Sequence, residues 1–203
     1  MTGVIIRAST VSPIVPGDIR QFELFAPVYD LVMPSADPAA LRAALKTATR
    51  PLVRLLDVGG GTGRGARAVE LPSRIVVDPA ERMLQRAREK ELSTVRADGS
   101  RLPVADGAVD AVLITDALHH IRDQHGVVHE AHRVLAPGGV LVVQEFDPTT
   151  VLGRLLAGGE RLVGFDSTFR SPPALRDIIA RIGFDTSVVE TGFEYLVAGV
   201  CPR

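Results

Sequence analysis

Residues 52–63 read LVRLLDVGGGTG: a short run rich in Leu and Val, an acid at Asp57, then glycines at 59, 60, 61 and 63. The apolar run has the length and composition of a buried strand, and the glycines end it. RGARAVE (64–70) follows as a short helix. Glycine tolerates positive φ and lets a ligand approach the backbone closely. The free N–H groups of a helix start attract negative charge. Gly61-Thr62-Gly63-Arg64-Gly65-Ala66 also fits the dinucleotide pattern G-x-G-x-x-G/A. The loop alone therefore fits more than one adenosine-containing cofactor.

Outward from this loop, strand-like and helix-like stretches alternate. RIVVD (74–78) is a second strand and PAERMLQRAREKE (79–91) a helix of high propensity. STVRAD (93–98) and AVDAVLIT (108–115) are the third and fourth strands, and GVVHEAHRVL (126–135) a helix that Pro137-Gly138-Gly139 stops. VLVVQEF (140–146) is the fifth strand. Near-continuous apolar strands alternating with helices predict an α/β fold: a doubly wound parallel sheet with helices on both faces. The end differs. PPALRDIIARIGF (172–184) is an amphipathic helix, and TSVVET and EYLVAGVCP are strand-like runs separated by only Gly192-Phe193. That gap permits a hairpin but no parallel crossover, so the last strand is expected to run antiparallel. Residues 149–171 show no fixed pattern. Before the loop, 1–17 read as an irregular arm with Pro13 and Pro16. Asp18 is placed to cap a helix through IRQFELFAPVYDLVM broken at Pro27, and Asp37-Pro38 starts another that continues through AALRAALKTATR.

Acids sit where the second and third strands end. Asp78 lies 21 residues after Asp57, where a carboxylate can accept from ribose hydroxyls, and Asp98-Gly99 lies 20 further on, where one can read an adenine amino group. Each alone is an ordinary polar strand end. Three at successive strand ends share the carboxyl edge, where open α/β sheets bind ligands.

Composition bounds the function. Hydrophobic residues make up 46% and charged residues 23%, as in a soluble globular protein, and a net charge of −1 provides no overall basic field for nucleic acid. One cysteine, Cys201, allows no intrachain disulfide. The opening apolar run is broken by Arg7 and the early prolines, so no leader and no membrane span are expected, and the location is read as cytoplasmic.

LLDVGGGTGR, VVDPAERML, RADGSRLPVADGAVDAV, DALHHIRD and EAHRVLAPGGVLVVQEF, with FAPVYD ahead of them, resemble in order and spacing the class I SAM-dependent methyltransferases (SAM is S-adenosylmethionine), in the ubiquinone/menaquinone-biosynthesis methyltransferase-like branch. The resemblance covers about 22–146 well and the terminal hairpin loosely. It implies a Rossmann-like seven-stranded sheet with the last strand antiparallel, in one domain: 1–50 as helical lead-in, 51–147 as SAM-binding core, 148–171 as lid and 172–203 as terminal helix and hairpin. It implies that Asp57 and the loop of Gly59, Gly60, Gly61 and Gly63 hold the methionine part of SAM. Asp78 and Pro79 would serve the ribose, Met83, Asp98 and Gly99 the adenine. Thr115, Asp116 and Ala117 would flank the sulfonium, with Tyr29 closing over it. Gly60 stands where the family often has cysteine or another small residue.

Methyl transfer is an in-line displacement in which holding the partners in line is worth up to ~7–11 kcal/mol. A base is needed only where the nucleophile must lose a proton. His119 and His120 follow the fourth strand and are the catalytic candidates, against the plainer reading that they position SAM or cap the next helix. The strand end Thr-Asp-Ala-Leu-His-His lacks the Asn/Asp-Pro-Pro-aromatic tetrad of amino-methylating nucleic-acid enzymes. A small organic acceptor is expected, with no nucleic acid, for a monomer or homodimer. The alternatives are an NAD(P)-dependent oxidoreductase and a SAM-binding module without catalysis. His125, His129 and His132 share a helical stripe, but an apolar stripe lies beside it and no carboxylate or cysteine completes a site, so no metal is expected. Phe165, Phe169, Phe184, Phe193 and Tyr195 are divided between core and a possible apolar acceptor pocket, and Arg161 and Arg170 between solvent and an anionic group.

Overall fold

The computed structural model describes residues 18–33 and 36–203, so the arm read over 1–17 lies outside the described residues. Seven strands form one sheet: β1 (Arg54–Val58), β2 (Ser73–Asp78), β3 (Ser93–Arg96), β4 (Val109–Thr115), β5 (Leu135–Phe146), β6 (Asp185–Glu190) and β7 (Glu194–Val200), in the order β3-β2-β1-β4-β5-β7-β6. Neighbours among β1–β5 pair in parallel, and β7 pairs antiparallel with both β5 and β6. The expected hairpin is therefore present, and β7 alone runs against the rest.

Alternation along each strand divides the core in two. Leu56, Val58, Val112, Ile114, Leu141 and Val143 face one layer. Val127, Val128 and Ala131 of α6 (Gln124–Val134), with Leu175 and Ile179 of α8 (Pro172–Arg181), cover them. Leu55, Val76, Ala111, Leu113, Val140 and Val142 face the other, beneath α3 (Pro38–Leu45), α4 (Arg64–Ala68) and α5 (Glu81–Arg88). β4 is buried at every position, as a strand covered on both faces must be.

Several boundaries differ from the sequence reading. β5 begins at Leu135, because Val109 pairs with Leu135 and Ala111 with Val140. Pro137-Gly138-Gly139 is thus the step in a bulged strand rather than a gap before it. α3 ends at Leu45, short of the expected Arg50, and β3 ends at Arg96. Residues 149–171 contain α7 (Val151–Leu162), whose first turn is capped by the Thr150 hydroxyl accepting from the Gly153 N–H at 3.0 Å. Asp37 caps α3 through its side chain, whereas Asp18 precedes α1 (Ile19–Phe25) but makes no side-chain cap, its carboxylate being drawn to His120 instead. The chain breaks after α1 at Pro27, as read, and resumes as α2 (Tyr29–Val32).

Candidate functional site

The sheet order reverses between β1 and β4, which opens a crevice at the carboxyl edge. Register brings the chemistry-bearing residues there: Val58 lies beside Val77, Asp78 beside Arg96, and Thr115 beside Gln144. The glycine loop turns through positive φ at Gly59, Gly61 and Gly63 (+67°, +55° and +81°), a conformation glycine adopts without steric cost. A Cβ on Gly59 would stand 2.7 Å from that of Ala117, one on Gly61 3.0 Å from the Met83 methyl, and one on Gly60 2.6 Å from the Asp57 carboxyl carbon. The loop is therefore pressed against the β4 end on one side and α5 on the other.

Asp57 is fully buried. One oxygen accepts from the Ala66 N–H at 2.8 Å, and Oδ1 has no partner among the described residues. Burial pushes its carboxyl up to about 7. Asp78 accepts from the Ala80 N–H (2.8 Å) and the Gly61 N–H (3.0 Å), and burial holds it at about 6. Pro79 follows, and its carbonyl accepts from Arg96 Nε at 3.0 Å. Met83 is 2% exposed beneath α1 and Tyr29. Asp98 accepts from Ser100 N–H and Oγ at 2.9 Å each through Oδ1, and Gly99 passes so close to Val58 that a Cβ would stand 2.9 Å from its methyl.

Asp116 takes up positive φ (+51°), one of two such non-glycine residues described. Its N–H continues the ladder to the Gln144 carbonyl at 3.1 Å. Its Oδ2 accepts from Arg64 Nη2 at 3.1 Å, while Oδ1 is buried without a partner among the described residues, and burial pushes the carboxyl up to about 6. Arg64 is a residue the sequence reading passed over. It leads α4 directly from the loop, donates also to the Tyr29 hydroxyl at 3.4 Å and lies 5.3 Å from that ring, so it ties α2 to the β4 end. Its only signal in the sequence was its place after the last glycine.

His119 and His120 lie on a 3-10 turn (Leu118–His120) that follows β4. Glu145 of β5 grips His119 twice, accepting from its N–H at 3.1 Å and meeting Nδ1 at 2.6 Å. His119 Nε2 stands 3.6 Å from Glu160 of α7, and Phe169 stacks on the ring at 4.3 Å. Burial alone would lower its pKa, but Glu145 and Glu160 carry it up to about 10. His120 meets Asp18 at 2.9 Å and Ser167 Oγ at 3.2 Å, both on Nδ1, and burial moves its pKa below the ordinary value. Because both partners share one nitrogen, Ser167, His120 and Asp18 do not form a nucleophile relay. Phe22 and Phe165 pack on the His120 ring at 4.8 and 5.0 Å. Glu145, Glu160 and Asp18 were also missed from sequence, since they come from three separate elements.

Other candidates go elsewhere. His125 and His129 are exposed on α6, and His132 meets the Phe184 ring edge-on at 4.9 Å. Phe184 and Tyr195 belong to the core, and Tyr195 donates to the Arg170 carbonyl at 2.8 Å. Arg170 is committed to Gln124, and Arg161 is exposed.

A cofactor suited to this crevice must let the glycine backbone approach it and bring donors for the unpaired Asp57 and Asp116 oxygens. SAM does both, with its amino and hydroxyl groups, so the residues present fit it. Comparison with known proteins agrees. The family described as a methyltransferase domain (Methyltransf_11) matches residues 56–143. The demethylmenaquinone methyltransferase of Thermus thermophilus is 33% identical over 88% of this chain and 96% of its own length. The malonyl-[acyl-carrier protein] O-methyltransferase of Xylella fastidiosa is 32% identical over 67% of this chain and half of its own. Among solved structures, a SAM-dependent methyltransferase of Thermotoga maritima, a possible histamine N-methyltransferase, shares the fold with a TM-score of 0.68 at 23% identity, over 90% of this chain and 95% of that one. Crevice, loop and relatives together show that this chain belongs to the class I SAM-dependent methyltransferases, in the ubiquinone/menaquinone-type branch, and that SAM is its cofactor.

Proposed function

We propose that the enzyme methylates a flat, largely apolar small molecule at the carboxyl edge of the sheet beside the 3-10 turn, with residues 148–171 acting as its lid. The observation that carries this reading is the ring wall around the two histidines. Phe22, Phe165 and Phe169 lie within 4.3–5.0 Å of the His119 or His120 ring, centroid to centroid, beside the carboxyl edge. Such a wall favours stacking of a planar acceptor and keeps water from it. The names of the Thermus and Xylella relatives point to small acceptors of two kinds, a quinone nucleus and a malonyl thioester. The aromatic wall favours the first.

When bound, SAM supplies a methyl carbon already activated by its sulfonium. In this reading Asp57 and the loop of Gly59, Gly60, Gly61 and Gly63 hold its methionine part. Asp78 and Pro79 serve the ribose, and Met83, Asp98 and Gly99 the adenine. Thr115, Asp116, Ala117 and Tyr29 close on the sulfonium, with Arg64 holding Asp116 and Tyr29 in place. His119 and His120 border the acceptor, with ring nitrogens turned to Glu145, Glu160 and Asp18. Rate enhancement comes mainly from alignment, worth up to ~7–11 kcal/mol.

No helix among the described residues is long and apolar enough to cross a membrane. We place the enzyme in the cytoplasm as a monomer or homodimer. The net charge of −1 supports a small acceptor over nucleic acid.

The test is formation of S-adenosylhomocysteine (SAH) with a short-chain demethylmenaquinol, kept reduced, beside a malonyl thioester. Turnover with the quinol is expected. Turnover with the thioester alone, or with neither while SAH binds, would overturn the proposal.

A further inference from the structure

We propose that His119, His120 and Glu160 form a binding site for a divalent transition-metal ion, of the zinc or cobalt kind, which ties α7 to the carboxyl edge of the sheet. One ring nitrogen from each histidine and one Glu160 oxygen all lie within 4.8 Å of one another. His119 Nε2 and Glu160 Oε1 are already 3.6 Å apart, close to the ~3.4 Å between two ligands each about 2.1 Å from one tetrahedral ion. The surroundings are those of a prepared ligand set. Glu145 holds the far nitrogen of His119 at 2.6 Å, the carboxylate–histidine arrangement that orients metal-binding imidazoles. The Ser167 hydroxyl donates to the other Glu160 oxygen and so fixes that carboxylate. Asp18, at 2.9 Å from His120, adds a third carboxylate.

Charge points the same way. Asp18, Glu145 and Glu160 surround two histidines, and none of the three carboxylates forms an ion pair with lysine or arginine among the described residues. Even two imidazolium rings would leave one negative charge over. A dication bound by both neutral rings takes the place of those two protons at no change in charge, because proton and metal compete for the same nitrogens. Imidazole with carboxylate suits zinc, cobalt or iron. His120 and Glu160 retain side-chain exposures of 12% and 15%, which leaves an entry route. α7 needs such a tie, since Gly153 is its one buried residue.

The inference rests on the reading of these elements as the acceptor side, but its test does not use SAM, so the two fail separately. Chelator-treated enzyme is titrated with Zn(II), and with Co(II) for its visible spectrum. One equivalent per chain is expected, with a Co(II) spectrum of a low-coordinate nitrogen–oxygen site. At 100 times Kd, Tm should rise by about 5–10 °C. Glu160→Gln, which keeps the size and shape of the side chain, should weaken binding at least about tenfold. His120→Asn should do the same. The paired control His125→Asn/His129→Asn on α6 should leave it unchanged. Absence of stoichiometric binding, or binding that survives Glu160→Gln and His120→Asn intact, would overturn the proposal. Far-UV circular dichroism and SAH binding on each variant separate loss of metal from loss of fold.

Discussion

At the scale of the residue, the site is a set of carboxylates that the free chain leaves underserved. Asp57 and Asp78 lie at the strand ends where their spacing had placed them, and Asp98 just beyond the end of β3, because a parallel register carries successive strand ends to one edge. What the sequence could not display is their environment. Burial raises Asp78 to about 6, so near neutral pH it ionises readily and below that it does not. In the proposed role, ribose hydroxyls donate to the ionised form, so protonation would remove acceptors. SAH affinity should therefore fall about tenfold between pH 7.5 and pH 5, one unit below that value. Titration calorimetry at pH 5, 6 and 7.5 checks it. In Asp78→Asn the affinity should be weak throughout and its step should shrink to what Asp57 and Asp116, also raised into this range, contribute. A step of equal size in the variant would assign the dependence to another group.

At the scale of the element, legibility followed burial. β1, β2 and β4 were plain in sequence because both faces are covered and their residues are near-continuously apolar. α7 was illegible for the opposite reason. It carries Gly153, Gly158 and Gly159, each costly in a helix, and it presents Val151, Leu152, Leu155 and Leu162 to the outside instead of to a core. The histidine cluster was illegible because Asp18, His119, Glu145 and Glu160 come from four places along the chain. Pro137-Gly138-Gly139 was misread as a stop because proline and glycine signal the same thing in a bulge as in a loop. The bulge makes a prediction. A Cβ on Gly139 would stand 2.8 Å from the carbonyl oxygens of Ala136 and Asp110, backbone atoms that cannot swing aside. Gly139→Ala should cost about 1–3 kcal/mol and lower Tm by about 3–9 °C. SAH affinity below the new Tm should be unchanged, since the bulge is bonded to Thr49 and Cys201 and not to the glycine loop. Thermal melts with and without SAH decide it, and a selective loss of SAH binding would show that the bulge sets the register of the site.

At the scale of the whole molecule, the two edges of the sheet are built to different ends. On the amino edge Asp110 is satisfied by Arg54 at 2.9 Å, Arg50 at 3.1 Å and the N–H groups of Val53 and Arg54. Burial would raise its pKa, but these donors hold it below the ordinary value, so its ionised form supports the fold. On the carboxyl edge Asp57 and Asp116 each keep a buried oxygen without a partner, and their ionised forms work against the fold. Stability has thus been given up where the cofactor binds, and the cofactor should restore it. The sign for Asp57 follows from linkage. Its folded value of about 7 lies above the unfolded value of about 3.9, so between those limits the native chain holds a proton that the unfolded chain has lost. Its ionisation penalty is absent below about pH 4, grows as pH rises and is complete above about pH 7. Asp57→Asn keeps an oxygen for the Ala66 N–H and carries no such penalty. The ligand-free variant should therefore melt several degrees above the parent at pH 8, by a margin that shrinks towards zero as pH falls to 4.5. The same variant should bind SAH more weakly at every pH. Parallel melts across this range measure both, and a margin that stays constant with pH would show that Asp57 is already neutral, or already paired, in the free enzyme.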